Sequence, residues 1–140
     1  MQVEYRIVGP GWAQCRISHA GVGAQISVSD LSDPLGDLVR TANRLRRATD
    51  AITFSWKTGA GEYRWTFKLV ASETQLLIEK LDLWGGGDAI FDALVPTEEL
   101  IKAIAAAGQD ILVDLGVDGY KQRWAKHDFP LAELARISGR

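Results

Sequence analysis

Apolar and polar residues alternate along the first part of the chain with the period of two that is typical of strands with one buried face. Apolar residues occupy every second position in three short stretches, at residues 3–7, 13–17 and 22–28. Glycine-containing turns at residues 9–11 and 20–21 separate these stretches. The pattern therefore predicts a meander of three strands, each with one apolar face.

The period of the apolar pattern changes to that of a helix after residue 32. Asp33 can accept hydrogen bonds from the first free amides of a helix, and Pro34 suits the first helical position. Apolar residues then recur at helical spacing, at Leu35, Leu38, Val39, Ala42 and Leu45. We predict a helix that ends near Ala48.

The rest of the chain predicts four more strands and further helices. The strand patterns cover residues 52–57, 63–70, 74–84 and 89–95. Thr97 is the expected N-cap of a second long helix, and Gly116 is its expected end. Shorter helical segments are predicted at residues 119–125 and 131–138.

This order of elements indicates a single α+β domain over residues 1–140 rather than an alternating βαβ fold. Three strands, one helix, four strands and C-terminal helices suit a mostly antiparallel sheet of about seven strands, with the helices packed on one face. The connection that contains the first helix fixes no strand order. The sequence therefore leaves open whether both groups of strands share one sheet.

The residues around Gly59 predict the register of one hairpin. A two-residue turn of Gly59 and Ala60 would place large apolar residues opposite one another. The apolar face would pair Trp56 with Tyr63, Phe54 with Trp65, and Ile52 with Phe67. The solvent face would pair Lys57 with Glu62, and Ser55 with Arg64. A slip of one residue would destroy both patterns, so the two faces together support this register.

A second turn, at residues 72–73, would extend this sheet and create a candidate site for a ligand or a partner. It would pair Trp65 with Lys80 and Tyr63 with Asp82, where the apolar face ends. The candidate site comprises Trp56, Tyr63, Trp65, Lys80, Asp82 and Trp84. The alternative is a sheet end at which Lys80 covers an indole ring and Asp82 reaches water.

Arginines concentrate on the outer side of the first predicted helix. Arg40, Arg44 and Arg47 fall on one stripe, and Arg46 adds to the local charge. Such a stripe is usually a solvated helix face, and the alternatives are contact with an acidic protein or with nucleic acid. The formal net charge of −2 and the lack of interleaved aromatic residues disfavour nucleic acid. The stripe is therefore a candidate contact for an acidic partner.

Aromatic residues near the C-terminus predict either a packed helix or a partner-binding edge. Tyr120 and Trp124 are four residues apart, so they share one face of a helix. Packing of this face onto the long helix would bury both rings. The alternative is an exposed edge at which Tyr120, Arg123 and Trp124 anchor a partner.

The sequence holds no assembled catalytic or metal-binding set. Cys15 and His19 would lie about 13 Å apart along a strand, which is too far for proton transfer between them. One cysteine and two histidines without metal-ligand spacing predict no metal site, and no cofactor is expected. We expect Cys15 to be a small core residue and the chain not to be an enzyme.

Composition indicates a compartment but no activity. Hydrophobic residues make up 46% and charged residues 24% of the 140 residues, as in ordinary globular domains. The first residues include Glu4 and Arg6 and lack the apolar stretch of a signal peptide. No run approaches the length that crosses a bilayer. We therefore expect a cytoplasmic protein without a membrane partner.

Three segments resemble a group of small uncharacterised bacterial proteins: SDPLGDLVR at residues 32–40, GEYRW at 61–65 and GYKQRW at 119–124. That resemblance implies no activity, cofactor or site residue. In size and α+β composition the chain is also similar to bacterial toxin-immunity proteins. We expect a non-catalytic module that binds another protein, in the manner of an immunity protein. The alternative is a small-ligand-binding protein with an aromatic pocket between sheet and helix, and self-association is left open.

Overall fold

Seven strands and three helices follow one another in the computed structural model, which describes residues 1–138. The strands are β1 (Gln2–Gly9), β2 (Trp12–His19), β3 (Val22–Ser29), β4 (Ile52–Thr58), β5 (Gly61–Val70), β6 (Glu73–Asp82) and β7 (Gly87–Pro96). The helices are α1 (Pro34–Leu45), α2 (Thr97–Arg123) and α3 (Leu131–Ile137). Helix α1 follows β3, and α2 and α3 follow β7, so the predicted α+β class is confirmed.

The strands form two antiparallel sheets, so the prediction of one sheet of seven strands was wrong. Sheet A has the order β1-β2-β3, and sheet B has the order β4-β5-β6-β7. Where β3 approaches β4, two serine hydroxyls form hydrogen bonds with the main-chain groups of Lys57. The Ser29 hydroxyl donates to the Lys57 carbonyl over 3.4 Å, and the Lys57 N–H donates to the Ser32 hydroxyl oxygen over 2.7 Å. These bonds satisfy groups that a continuous ladder would otherwise pair.

Helix α2 joins the two sheets, because it contacts β1 of sheet A together with β6 and β7 of sheet B. Helix α1 packs against α2 and α3 and reaches β4. The sequence predicted helices on one face of a single sheet. That prediction was wrong, because α2 contacts both sheets. Buried residues from both sheets and from all three helices form one hydrophobic core. Its largest fully buried side chains include Trp56, Trp65, Trp124, Tyr120 and Phe67.

Helix α1 begins where the sequence predicted and ends earlier. The Asp33 carboxylate caps its N-terminus by accepting a hydrogen bond from a main-chain N–H of the first turn over 3.3 Å. The helix ends at Leu45 rather than near Ala48. Its last turn is tightened, because the Arg47 N–H donates to the Arg44 carbonyl three residues earlier.

Helix α2 differs from the prediction at its start and at its expected end. Thr97 does not cap the helix, because its hydroxyl pairs with that of Thr74 over 2.7 Å in a buried contact. Gly116 does not end the helix either. Its φ of +68° kinks the helical path, which then resumes up to Arg123. The segment predicted at residues 119–125 is therefore the part of α2 beyond the kink, and the last predicted helix is confirmed as α3.

The predicted register of the β4–β5 hairpin is confirmed. Trp56 lies opposite Tyr63, and Phe54 lies opposite Trp65. The two-residue turn fixes this alignment, because it places Thr58 directly opposite Gly61 and every later pair follows from that one. The three predicted apolar pairs, Trp56 with Tyr63, Phe54 with Trp65 and Ile52 with Phe67, therefore lie on one face of sheet B.

The predicted register of β5 and β6 was wrong by two residues. The turn between them begins one residue earlier than predicted, with Ala71 in the left-handed region at a φ of +55°. Trp65 consequently lies opposite Ile78, and Tyr63 lies opposite Lys80. A shift of two residues keeps every side chain on its predicted face, so the apolar pattern alone could not detect it.

The change Gly61→Ala is expected to destabilise the protein, whereas Gly59→Ala is not. Gly61 has a φ of +151°, and a Cβ on it would lie 2.1 Å from the Leu81 carbonyl oxygen of the neighbouring strand. A Cβ on Gly59 meets nothing within 4 Å. In urea unfolding we expect a loss of about 1–3 kcal/mol for Gly61→Ala and less than about 0.5 kcal/mol for Gly59→Ala. Equal effects would contradict this packing of β5 on β6.

Candidate functional site

Two of the six residues of the predicted aromatic site, Trp56 and Trp65, belong to the core. They are 0% and 1% exposed, and their ring centroids lie 4.6 Å apart. Phe54 stacks on Trp65 with 5.6 Å between centroids, and Phe67 stacks on it with 6.1 Å. Neither indole ring therefore offers a free face to a ligand in this conformation.

Tyr63 and Lys80 lie at the edge of this aromatic group. The Lys80 ammonium is 6.0 Å from the centroid of the Tyr63 ring, which is the outer limit of a cation–π contact. Tyr63 is half-buried and Lys80 is exposed, and Asp88 of β7 lies opposite Lys80. This placement corresponds to a sheet end with a lysine over an aromatic ring, although the ring is that of a tyrosine rather than an indole.

The turn between β6 and β7 holds Leu83 and Trp84 in solvent on a well-anchored main chain. Asp82 Oδ1 accepts hydrogen bonds from the Trp84 N–H over 2.8 Å and from the Gly86 N–H over 3.0 Å. The Asp82 N–H donates to the Gly86 carbonyl over 2.7 Å, and the Gly85 N–H donates to the Asp82 carbonyl over 3.2 Å. Leu83 is 70% exposed and Trp84 is 92% exposed. We call these two residues the hairpin tip.

The sequence predicted a strand that ends at Trp84 and a flexible hairpin loop over residues 84–88, whereas the structure places Trp84 within the turn. Strand β6 ends at Asp82, so the hairpin tip lies beyond the last ladder pair. The signal in the sequence was an aspartate followed after two residues by three glycines, since aspartate accepts hydrogen bonds from its own turn and glycine adopts positive φ. The structure thus separates Trp84 from the other tryptophans of the predicted site.

Arg40, the first residue of the predicted arginine stripe, forms ion pairs with two carboxylates of the same chain. Its guanidinium donates to the Asp33 carboxylate over 3.0 Å and to the Asp37 carboxylate over 3.1 Å. Burial raises the pKa of Asp37, and the hydrogen bond from Arg40 opposes that effect. Arg40 therefore supports the first turn of α1, and the stripe as predicted does not present three free cations.

Arg44 and Arg47 retain the charge that the sequence assigned to the stripe. Both are exposed and line one depression of about 290 Å³ together with residues 48–52. Neither forms an ion pair within residues 1–138. Arg46 is different, because its guanidinium donates to both oxygens of Glu98 and holds the pKa of that carboxyl below its usual range.

The predicted C-terminal edge lies mostly inside the core. Tyr120 and Trp124 are each 0% exposed, and the Tyr120 ring meets Phe129 edge-on with 5.3 Å between centroids. Arg123 is exposed, and its main-chain carbonyl accepts a hydrogen bond from the Gly11 N–H over 3.3 Å. Both rings are therefore buried and cannot reach a partner from this position, although they lie at the end of α2 itself rather than on a separate helix packed onto it.

Cys15 lies in the core and offers no accessible thiol. Cys15 is 0% exposed, and burial raises the pKa of its thiol to about 12. The thiol is therefore protonated at neutral pH and out of reach of a substrate. His19 lies beside Glu99, with 3.9 Å between Nδ1 and the carboxylate. Across the part of the chain that the structure describes, no group of three or more histidine, cysteine, aspartate or glutamate residues could hold a metal ion.

Comparison with protein-family models, with curated proteins and with solved structures found no match. The resemblance of three sequence segments to small bacterial proteins therefore stays a prediction. No helix within residues 1–138 has the length and apolar character needed to span a membrane.

The change Trp65→Ala is expected to destabilise the protein strongly, whereas Trp84→Ala is expected to leave its stability almost unchanged. Removal of the buried Trp65 ring leaves a cavity beside Trp56 and should cost about 3–5 kcal/mol in denaturant unfolding. Removal of the exposed Trp84 ring should change the free energy of unfolding by less than about 0.5 kcal/mol. A near-zero effect of Trp65→Ala would mean that the apolar face of sheet B has been assigned to the wrong side.

Proposed function

We propose that this chain is a non-catalytic module that binds another protein through the hairpin tip of Leu83 and Trp84. The observation that carries the proposal is an almost fully exposed tryptophan beside an exposed leucine on a turn fixed by four hydrogen bonds. The aromatic residues of the core pack against one another and are buried, so they offer a partner no comparable contact. An immunity-like role, with a toxin as the partner, is one form of this function.

The anchored turn favours tight binding for an entropic reason. A partner that covers Trp84 gains the apolar area of a large ring, and tryptophan is enriched among the residues that dominate binding energy. Because Asp82 already fixes the main chain around Trp84, little conformational freedom remains to be lost on binding. The tip thus combines a large anchor with a low ordering cost.

The charges beside the tip favour a protein over a lipid surface. Asp82 and Asp88 are exposed on the two strands that carry the turn. Carboxylates in these positions would be repelled by the negative surface of an anionic membrane. A protein surface can instead present donors or cations around a pocket for the ring. The small-ligand alternative lacks such support, because the indole rings of Trp56 and Trp65 are covered on both faces.

Site-specific photocrosslinking in the cells that produce the chain tests this function. A photoreactive residue replaces Leu83 in one variant and Val113 in a matched control, since Val113 is 86% exposed on α2. We expect a discrete protein adduct from position 83 and none from position 113. Adding Trp84→Ala should reduce the adduct at position 83 by at least about tenfold, as for the loss of an anchor residue.

Three results would contradict the proposal. Equal labelling from positions 83 and 113 would show that the tip has no preferred partner. An adduct that survives Trp84→Ala would show that the ring does not anchor the contact. Labelling of lipid, or of a second copy of the chain alone, would replace the proposed partner by a membrane or by a homo-oligomer.

A further inference from the structure

The β6–β7 hairpin, which carries the hairpin tip, is more negatively charged than the rest of the chain. From residue 79 to residue 92 the sequence contains four carboxylates and one cation, so this stretch has a formal charge of −3. The whole chain has a formal charge of −2, and the remaining residues therefore sum to +1. The carboxylates are those of Glu79, Asp82, Asp88 and Asp92, and the cation is Lys80.

The carboxylates of this hairpin have no counter-ion in the fold. None of the four forms an ion pair within residues 1–138. Lys80 lies opposite Asp88 in the ladder, where cross-strand Cβ atoms are about 5 Å apart. Its ammonium nevertheless lies over the Tyr63 ring, 6.0 Å from the centroid. The nearest cation thus leaves Asp88 unpaired.

Asp82 is bonded to the same residue that would anchor a partner. Its Oδ1 accepts hydrogen bonds from the main chain of Trp84 and of Gly86, and the residue is exposed. A pocket that covers the Trp84 ring therefore also approaches this carboxylate. A carboxylate that loses water without gaining a cation or further donors costs free energy. Tight binding at the hairpin tip consequently requires positive charge on the partner.

We propose that the partner at the hairpin tip is a basic protein surface, with lysine or arginine side chains around the pocket that receives Trp84. This inference rests on the proposed function and adds the charge of the partner. Cations beside Asp82 and Asp88 would replace the water that these carboxylates lose on binding. Opposite charge on the two surfaces would also speed their association.

The same charges disfavour the other occupants of the tip. A nucleic-acid backbone carries a negative charge on every phosphate and would be repelled by the hairpin. A second copy of the chain brings an equally acidic hairpin and a net charge of the same sign. A different protein with a basic surface is therefore the occupant that the charges favour.

Photocrosslinking from position 83 in a clarified lysate of the producing cells tests the charge of the partner. The adduct yield is compared among the wild-type background, Asp88→Asn and Asp88→Lys, at about 50 mM and about 300 mM sodium chloride. Asp82 is left intact because it fixes the turn. Asp114→Asn and Asp114→Lys are the matched controls, because Asp114 is an exposed carboxylate of α2. Mass spectrometry of the crosslinked peptide then identifies the partner segment at the tip.

We expect the adduct yield to fall at least about threefold with Asp88→Asn and at least about tenfold with Asp88→Lys, against less than about twofold with either control. The higher salt concentration should lower the yield at least about threefold, because salt screens charges near the surface. The crosslinked peptide should come from a segment rich in lysine and arginine. Melting temperatures should agree among the variants, because exposed charges contribute little to folding.

The contrary outcomes separate this inference from the function on which it rests. An adduct that needs Trp84 but is insensitive to Asp88→Lys and to salt would overturn the basic partner and leave the binding function standing. Equal losses from the Asp88 and Asp114 variants would do the same, since they would reflect net charge alone. No adduct at position 83, or adducts only with nucleic acid, lipid or a second copy, would overturn both.

Discussion

The packing of Trp56 against Trp65 across the β4–β5 hairpin is the contact on which the rest of the molecule depends. The centroids of the two rings lie 4.6 Å apart on the buried face of sheet B, and both rings are almost completely removed from solvent. Neither indole N–H has a hydrogen-bond partner among the described residues, a loss of about 1–3 kcal/mol each. The apolar area buried by two such rings must outweigh that cost, so their positions are set by packing.

This constraint determines which surfaces are left for function. Because the core uses the aromatic face of sheet B, the most exposed aromatic residue is Trp84 on the β6–β7 turn, at 92% against 50% for Trp12. Among the arginines in and just after α1, Arg44 and Arg47 are the two that form no ion pair within residues 1–138, since Asp33, Asp37 and Glu98 hold Arg40 and Arg46. Two separate surfaces result, one apolar and one cationic, at opposite ends of sheet B.

Local chemistry explains which features the sequence could predict. The Gly59 turn predicted the β4–β5 register, because alternation on both strands leaves one consistent alignment. The start of α1 followed from Asp33 in the same way. The β5–β6 register could not be predicted, because a two-residue shift changes no face. Burial of Trp124 and the division into two sheets depend on packing between distant segments. The spacing of apolar residues along the chain carries no information about such packing.

Exchange of the indole N–H protons of Trp56, Trp65, Trp84 and Trp124 with D₂O, followed by NMR, tests most directly whether the core rings and the contact ring are distinct sets. The account predicts that the Trp84 proton exchanges at the rate of a free indole. The protons of Trp56, Trp65 and Trp124 should exchange only through global unfolding, with protection that tracks the free energy of unfolding. Fast exchange at Trp56 or Trp65 in the folded protein would contradict the account, because an accessible indole there would restore an open aromatic site on sheet B.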